Sequence, residues 1–218
     1  MINELHPALA IVLTAAFAGA GATAGMLASA ALARARAPAP VPLPPVAIGT
    51  AVLWLFVAWR WFSGGWPGWW LPVPLALTAL AVPLCAADFR YRRLPDALTL
   101  PAYPIFAAAI TTAAVAGPGP QLAVRALVAA SFFGGLHLLV HALSRRSLGA
   151  GDVKLAGALG GVLGAASWGA LGVAAVLAAV VTAALALTRR WGRGVPHGPG
   201  LLAAACLVAL FPGRGVGA

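Results

Sequence analysis

Acidic side chains are almost missing from this chain of 218 residues, which has four of them against 14 Lys and Arg. Charged residues of both signs make up 8% of the sequence, whereas about 25% is usual for a soluble domain. This scarcity excludes an ordinary soluble enzyme. Hydrophobic residues reach 62%, and apolar stretches of about 20 residues, the length of a bilayer-spanning helix, recur throughout. We therefore predict an all-α, polytopic integral membrane protein.

Cysteine is scarce as well, with Cys85 and Cys206 as its two occurrences and no CxxC pair. This excludes a disulfide framework and a zinc ribbon. His137 and His141 share a helix face, but no acidic residue or cysteine accompanies them in sequence, so we expect hydrogen-bonding histidines. The net charge of +10 lies in small clusters between apolar runs, which is typical of topology signals. We therefore expect no metal, no cofactor and no nucleic-acid partner.

Eight apolar segments predict about eight transmembrane helices, at residues 8–32, 46–62, 70–87, 97–116, 121–143, 153–167, 170–188 and 198–212. The stretch from Asp152 to Arg189 is either one long helix or two short helices broken near residues 167–169. Two helices leave only Arg60, Arg125 and Arg214 of the 14 basic residues on one side of the membrane. A single helix would distribute them more evenly, so the positive-inside rule favours two.

The first helix is expected to be retained rather than cleaved as a signal peptide. No Lys or Arg precedes the first apolar run, whereas Arg34 and Arg36 follow it, the reverse of a signal peptide. We predict that the N-terminus lies outside. We assign residues 1–45 to an N-terminal helix and a proline-rich linker, with APAPVPLPP (37–45) extended, and residues 46–218 to a membrane-embedded domain.

Two of the four acidic residues lie where the sequence enters or leaves the membrane. Asp88 follows an apolar run in CAADFRYRRLPD, and Asp152 precedes one in SLGAGDVKLAGALGG. A carboxylate at the membrane centre costs roughly 2.5–3.5 kcal/mol, so carboxylates that persist near the bilayer are functional candidates. The predicted topology places both at the same end of the helices, where a pair of aspartates could activate water.

Structural roles remain as alternatives for each aspartate. Asp152 could be the N-cap of the helix that follows, and Asp88 could form a surface ion pair with Arg92 at helical spacing. Asp96 follows Pro95 and precedes an apolar run, so we expect it to be an N-cap. Gly149 and Gly151 permit close approach of another backbone beside Asp152.

DFRYRRLPD together with GAGDVKL resembles the paired signature of type IV prepilin peptidases and their archaeal preflagellin relatives, membrane aspartic proteases of the GxGD class. Asp88 matches the first catalytic aspartate, and Asp152 matches the aspartate of GxGD. Further matches to family motifs are Arg90, Pro95, Gly149, Gly151, Lys154, Pro196, Gly198 and Pro199. The resemblance covers about residues 70–212 and implies Asp88 and Asp152 as the catalytic pair.

The same resemblance implies a prepilin or pseudopilin substrate with a basic leader and an apolar helix, cut at the cytoplasmic face of the cell membrane. Gly149, Gly151, Lys154, Arg90 and Pro95 are expected to shape the site or bind substrate. The chain departs from full-length bacterial members because RARAPAPVPLPPV replaces their zinc-binding domain, so we expect no methyltransferase activity. An ion- or proton-coupled transporter and a non-catalytic assembly protein remain as alternatives.

Overall fold

A computed structural model describes residues 7–144, 148–188, 194–213 and 216, and within these ranges it contains helices and no strands. The α-helices in chain order are α1 (Pro7–Arg34), α2 (Leu43–Phe62), α3 (Pro72–Tyr91), α4 (Asp96–Ala116), α5 (Pro120–Leu143), α6 (Ala150–Ala166), α7 (Trp168–Leu187) and α8 (Gly198–Leu210). A short 3-10 helix, Gly68–Trp70, precedes α3. The predicted all-α architecture is confirmed.

Six of the helices in the described ranges are long and apolar enough to cross a membrane. The other two, α6 and α8, have 17 and 13 residues. At 1.5 Å per residue they extend about 26 and 20 Å, which is less than the ~30 Å hydrocarbon core of a bilayer. The chain is thus a multi-pass membrane protein in which two short helices are packed among longer ones.

Proline and a left-handed residue set several helix boundaries. Proline occupies the first or second position of α2, α3, α5 and α8, where its missing N–H would have no helical partner anyway.

The expectation that residues 37–45 are extended is wrong for the last three residues, since α2 begins at Leu43. α3 ends where Arg92 adopts a left-handed conformation with φ of 51°, and Pro95 then leads into α4.

The apolar stretch after Asp152 forms two helices, as predicted, with the break at Ser167. This residue is extended, with φ of −172° and ψ of 164°, and its hydroxyl accepts the N–H of Ala170 at the start of α7. Because α7 returns the chain, α8 starts at the end of the bundle where α3 finishes. A hydrogen bond of 3.0 Å from Gly198 N–H to Asp88 Oδ2 joins these two helices.

α6 lies at the centre of the bundle, in contact with α4, α5, α7 and α8. Every residue from Leu155 to Ala166 is buried. Its small residues allow a close approach to α5: a Cβ at Gly160 would lie 2.8 Å from Phe133 Cβ and 2.9 Å from the Ala129 carbonyl oxygen. The packing thereby fixes the first turn of α6, which carries Asp152, at one end of the core.

Some of the residues used for the topology prediction lie outside the described ranges, namely Glu4, Arg145, Arg146, Arg189, Arg190, Arg193 and Arg214. The outer position of the N-terminus and the domain boundary after residue 45 stay predictions.

Candidate active site

Asp88 lies in the last turn of α3 and is 4% exposed. Its Oδ2 accepts the N–H of Gly198, a residue 110 positions further along the chain. Arg92 contributes its backbone N–H to the Asp88 carbonyl at 2.8 Å, and no ion pair joins the two side chains within the described residues. The alternative of a surface ion pair with Arg92 is therefore wrong, since the carboxyl group points into the bundle.

Asp152 lies in the first turn of α6, whose N-cap is Gly149. The Asp152 Oδ2 accepts the N–H of Gly149 at 3.2 Å. The alternative role of Asp152 as the N-cap is wrong by three positions, although its carboxyl group does satisfy one of the free amides at the helix start. Its other oxygen, Oδ1, is buried and has no hydrogen-bond partner among the described residues.

Leu94, in the α3–α4 connection, fills the space between the starts of α6 and α8. A Cβ at Gly151 would lie 3.0 Å from Leu94 Cβ, and one at Gly198 would lie 3.1 Å from Leu94 Cδ2. The two glycines thus allow both helix starts to close on one buried leucine. The end of α3 and the starts of α6 and α8 converge there, and the carboxyl groups of Asp88 and Asp152 are close enough to interact electrostatically.

Two helix N-termini therefore contact the acidic pair. The amide that binds each carboxyl oxygen comes from the start of a helix, α6 for Asp152 and α8 for Asp88. The positive end of a helix dipole favours a carboxylate, whereas burial and the neighbouring carboxyl group oppose a second negative charge. An arrangement of this kind favours a single charge shared by two acids.

Lys154 and Asp96 form an ion pair beside this centre. Lys154 Nζ lies 2.7 and 2.9 Å from the two carboxylate oxygens of Asp96, and both side chains are partly exposed. Asp96 is the first residue of α4 rather than its N-cap, a position held by Pro95. The N-cap prediction for Asp96 is therefore wrong; its carboxylate instead joins α4 to α6.

The remaining predicted site residues lie at the edge of the centre. Pro95 is buried next to Leu94. Arg90 is exposed, and its Nε donates a hydrogen bond to the Tyr91 hydroxyl at 3.1 Å. The structure thus brings Asp88, Asp152, Gly149 and Gly151 together, while Arg90 and Lys154 make their polar contacts elsewhere.

The contacts of Leu94 and Gly198 are not indicated by the sequence patterns. Leu94 carried no chemical signal because an aliphatic side chain before a proline is ordinary. Gly198 matches a family element, but the match implies no contact for it; in the structure its N–H binds Asp88. The sequence signal that pointed to it was therefore the PHGPG segment beside the start of the last apolar run.

His137 and His141 are hydrogen-bonding residues, as expected. The Nδ1 atoms of these two rings lie 2.8 Å from the Phe133 carbonyl oxygen and 2.7 Å from the Leu148 carbonyl oxygen. In the part of the chain that the structure describes, no three His, Cys, Asp or Glu side chains come together as metal ligands would.

The fold and the centre define a multi-pass helical membrane protein with one buried and one partly buried aspartate, Asp88 and Asp152, at one end of its bundle. A family model described as the type IV leader peptidase family matches residues 75–188, just over half of the chain, and this range includes both aspartates. The chain belongs to the type IV leader peptidase family, which confirms the membership that its motifs indicated. No curated protein and no solved structure matches the chain.

Proposed function

We propose that this protein is an aspartic endopeptidase that removes the leader peptide of prepilin-like or pseudopilin substrates, with Asp88 and Asp152 as its catalytic pair. Membership of a leader peptidase family supports a protease. The observation that carries the aspartic assignment is the convergence of the two carboxyl groups. They come from helices far apart in sequence, and each is held by a glycine amide.

The chemistry follows from the shared charge. One carboxylate removes a proton from a water molecule, whose oxygen attacks the carbonyl carbon of the scissile peptide bond. The protonated partner donates its proton to the carbonyl oxygen. The C–N bond then breaks as the leaving nitrogen takes up a proton from the pair. Two close aspartates share one proton and titrate together, so the pair and neither residue alone is assigned as acid or base.

Charge supports the cytoplasmic face as the place of cleavage. The basic residues Arg34, Arg36, Arg90, Arg92 and Arg93 lie at the ends of α1 and α3 or just beyond them, at the aspartate end of the bundle. Basic residues mark the cytoplasmic side of membrane proteins. A substrate with an apolar helix and a short leader could approach through the bilayer and expose its cleavage site at this level.

The connection between α1 and α2 supports a peptidase without methyltransferase activity. Residues 35–42 separate the two helices and contain no cysteine. A zinc site built from two CxxC pairs cannot form there. The expected product is a pilin-like protein with an unmethylated N-terminal amine.

Co-expression with candidate prepilin-like substrates tests the proposal, using an immunoblot for the mobility shift and mass spectrometry for the new N-terminus. We expect the wild-type protein to remove the leader, and Asp88→Asn and Asp152→Asn each to abolish removal. Asp96→Asn is the matched control, because it removes the same charge from an exposed aspartate paired with Lys154.

Three outcomes would contradict parts of this proposal. If leader removal survives Asp88→Asn or Asp152→Asn, the assignment of the two aspartates as the catalytic pair is wrong. Binding of substrate without cleavage by the wild type favours a non-catalytic assembly protein. A methylated product amine that depends on this chain contradicts the absence of methyltransferase activity.

A further inference from the structure

The two amides that bind the aspartates lie at helix starts, not in the interior of a helix. Gly149 is the N-cap of α6 and Gly198 is the first residue of α8, and the N–H groups at these two junctions have no partner within the helix. A catalytic group must be held closely, since a displacement of about 1 Å can cost roughly 100-fold in rate. Other contacts must therefore fix these junctions, and in both cases a histidine precedes or contacts the glycine's peptide group.

His141 fixes the peptide group that binds Asp152. Its Nδ1 lies 2.7 Å from the Leu148 carbonyl oxygen, and because a carbonyl accepts, Nδ1–H donates. The Leu148 carbonyl and the Gly149 N–H belong to the same planar peptide unit. The hydrogen bonds therefore run in one chain, from His141 through that peptide to Asp152 Oδ2. Bonds in such a chain polarise and strengthen one another.

His197 holds the second junction. Its Nδ1 lies 2.9 Å from Thr182 Oγ1 on α7, and the Thr182 hydroxyl donates its single hydrogen to the Ala178 carbonyl at 2.8 Å. The His197 Nδ1–H is therefore the donor to Thr182. Burial lowers the pKa of His197, which favours the neutral ring. This contact ties the residue before Gly198 to α7.

We propose that His141 and His197 are positioning residues for the aspartate pair. His141 orients and polarises the 148–149 peptide whose N–H binds Asp152, and His197 orients the junction whose N–H binds Asp88. The inference rests on the proposed proteolytic function. It adds two residues that act on the carboxyl groups through glycine amides and form no hydrogen bond to either aspartate themselves. Their loss should lower kcat and leave KM unchanged, because they orient the reacting carboxyl groups and not the substrate.

Conservative variants separate positioning from bulk packing at His141. The amide nitrogen of Asn stands close to the place of Nδ1, whereas that of Gln reaches the place of Nε2. We expect His141→Gln to lower kcat about tenfold or more and His141→Asn to keep it within about threefold. His137→Gln is the matched control, because its Nδ1 bonds a carbonyl of its own helix. Equal rates for His141→Gln and wild type would overturn the proposal.

The second junction has its own pair of variants. Thr182→Val removes the acceptor for His197, and Thr182→Ser keeps it, so only the valine variant should lower kcat. Combining Thr182→Val with His197→Ala should cost no more than the larger single effect, since both remove one contact. Additive losses would show that the two side chains act separately and would overturn the role assigned to His197.

Amide hydrogen–deuterium exchange gives a readout that needs no substrate. Peptides containing Gly149 should exchange faster in His141→Gln, and those containing Gly198 faster in Thr182→Val, while the rest of the bundle stays protected. If the wild-type protein does not cleave the substrate, the proposed function is wrong, and hydrogen–deuterium exchange still tests whether His141 and His197 hold the two junctions. If Asp88→Asn is inactive but the histidine variants match wild type in rate and exchange, the function stands and this inference falls.

Discussion

At the scale of single residues, the centre depends on glycine as much as on aspartate. Asp88 and Asp152 each place one carboxyl oxygen on a glycine N–H, at 3.0 and 3.2 Å. At Gly198 the approach is so close that a Cβ would lie 2.8 Å from Asp88 Oδ2, the oxygen that accepts the Gly198 N–H. A side chain there would have to displace either Asp88 or the start of α8.

Gly198→Ala should therefore lower activity by about tenfold to 100-fold, because the added methyl group displaces the Asp88 carboxyl group from its amide. The measurement is the rate of leader removal by purified variants in lipid nanodiscs. Gly194→Ala is the control, since a Cβ at Gly194 meets no atom within 4 Å. Equal rates for both variants would contradict the role assigned to this contact.

The two aspartates could be predicted from sequence because a carboxylate in an apolar chain costs free energy near the membrane, and few acidic residues occur in this one. Leu94 could not, since its role is to fill the gap between Gly151 and Gly198, residues that only packing brings together. The misplaced cap at Asp96 has a related cause. Asp96 is the first residue of α4, and its carboxylate contacts Lys154, 58 positions away, which a local capping preference does not include.

At the scale of elements, the last carbonyl groups of the two short helices, α6 and α8, accept hydrogen bonds from arginines of neighbouring helices. Arg125 on α5 donates from Nε to the Gly164 carbonyl and from a terminal nitrogen to the Ala165 carbonyl of α6, both at 2.6 Å. Arg60 on α2 donates to the Leu210 carbonyl of α8 at 3.2 Å. Carbonyls at a helix end have no helical partner and form the negative end of its dipole. The two arginines thus act as caps for helices too short to reach across the bilayer.

Arg125→Met should lower the free energy of unfolding by about 2 kcal/mol, because it removes two hydrogen bonds from a partly exposed donor, and such bonds contribute about 1 kcal/mol each. For a chain of this size that corresponds to a Tm lower by about 4–8 °C, measured by thermal unfolding in detergent. Arg36→Met, which alters an exposed arginine between α1 and α2, should leave Tm within about 1–2 °C. An unchanged Tm for Arg125→Met would show that these carbonyls need no cap.

At the scale of the whole molecule, the number of helices decides whether the site can form. With two helices between Asp152 and Gly198, the end of α3 and the starts of α6 and α8 fall at one end of the bundle. A single helix would carry Gly198 to the opposite end, which the 3.0 Å contact with Asp88 forbids. The imbalance of basic residues had indicated the same arrangement from sequence.

Cysteine labelling tests the orientation of that bundle. In a background with Cys85 and Cys206 replaced by alanine, we expect Ser63→Cys to react with a membrane-impermeant maleimide in right-side-out vesicles. Ala37→Cys should react only after permeabilisation, because it lies at the basic, aspartate end. Both positions are exposed. The opposite labelling pattern would place the aspartates on the outer face and contradict cleavage at the cytoplasmic side.

The sequence by itself determined the helical class, the two-helix interpretation of residues 153–188 and the candidate pair Asp88 and Asp152. Hydropathy, charge distribution and the cost of a carboxylate near lipid are properties that can be summed along a chain. The donors from Gly149 and Gly198, the position of Leu94, the arginine caps and the histidine contacts were decided by tertiary structure. Most of these contacts join different helices, and hydropathy is high on every helix, so sequence alone carries little information about which helix faces meet.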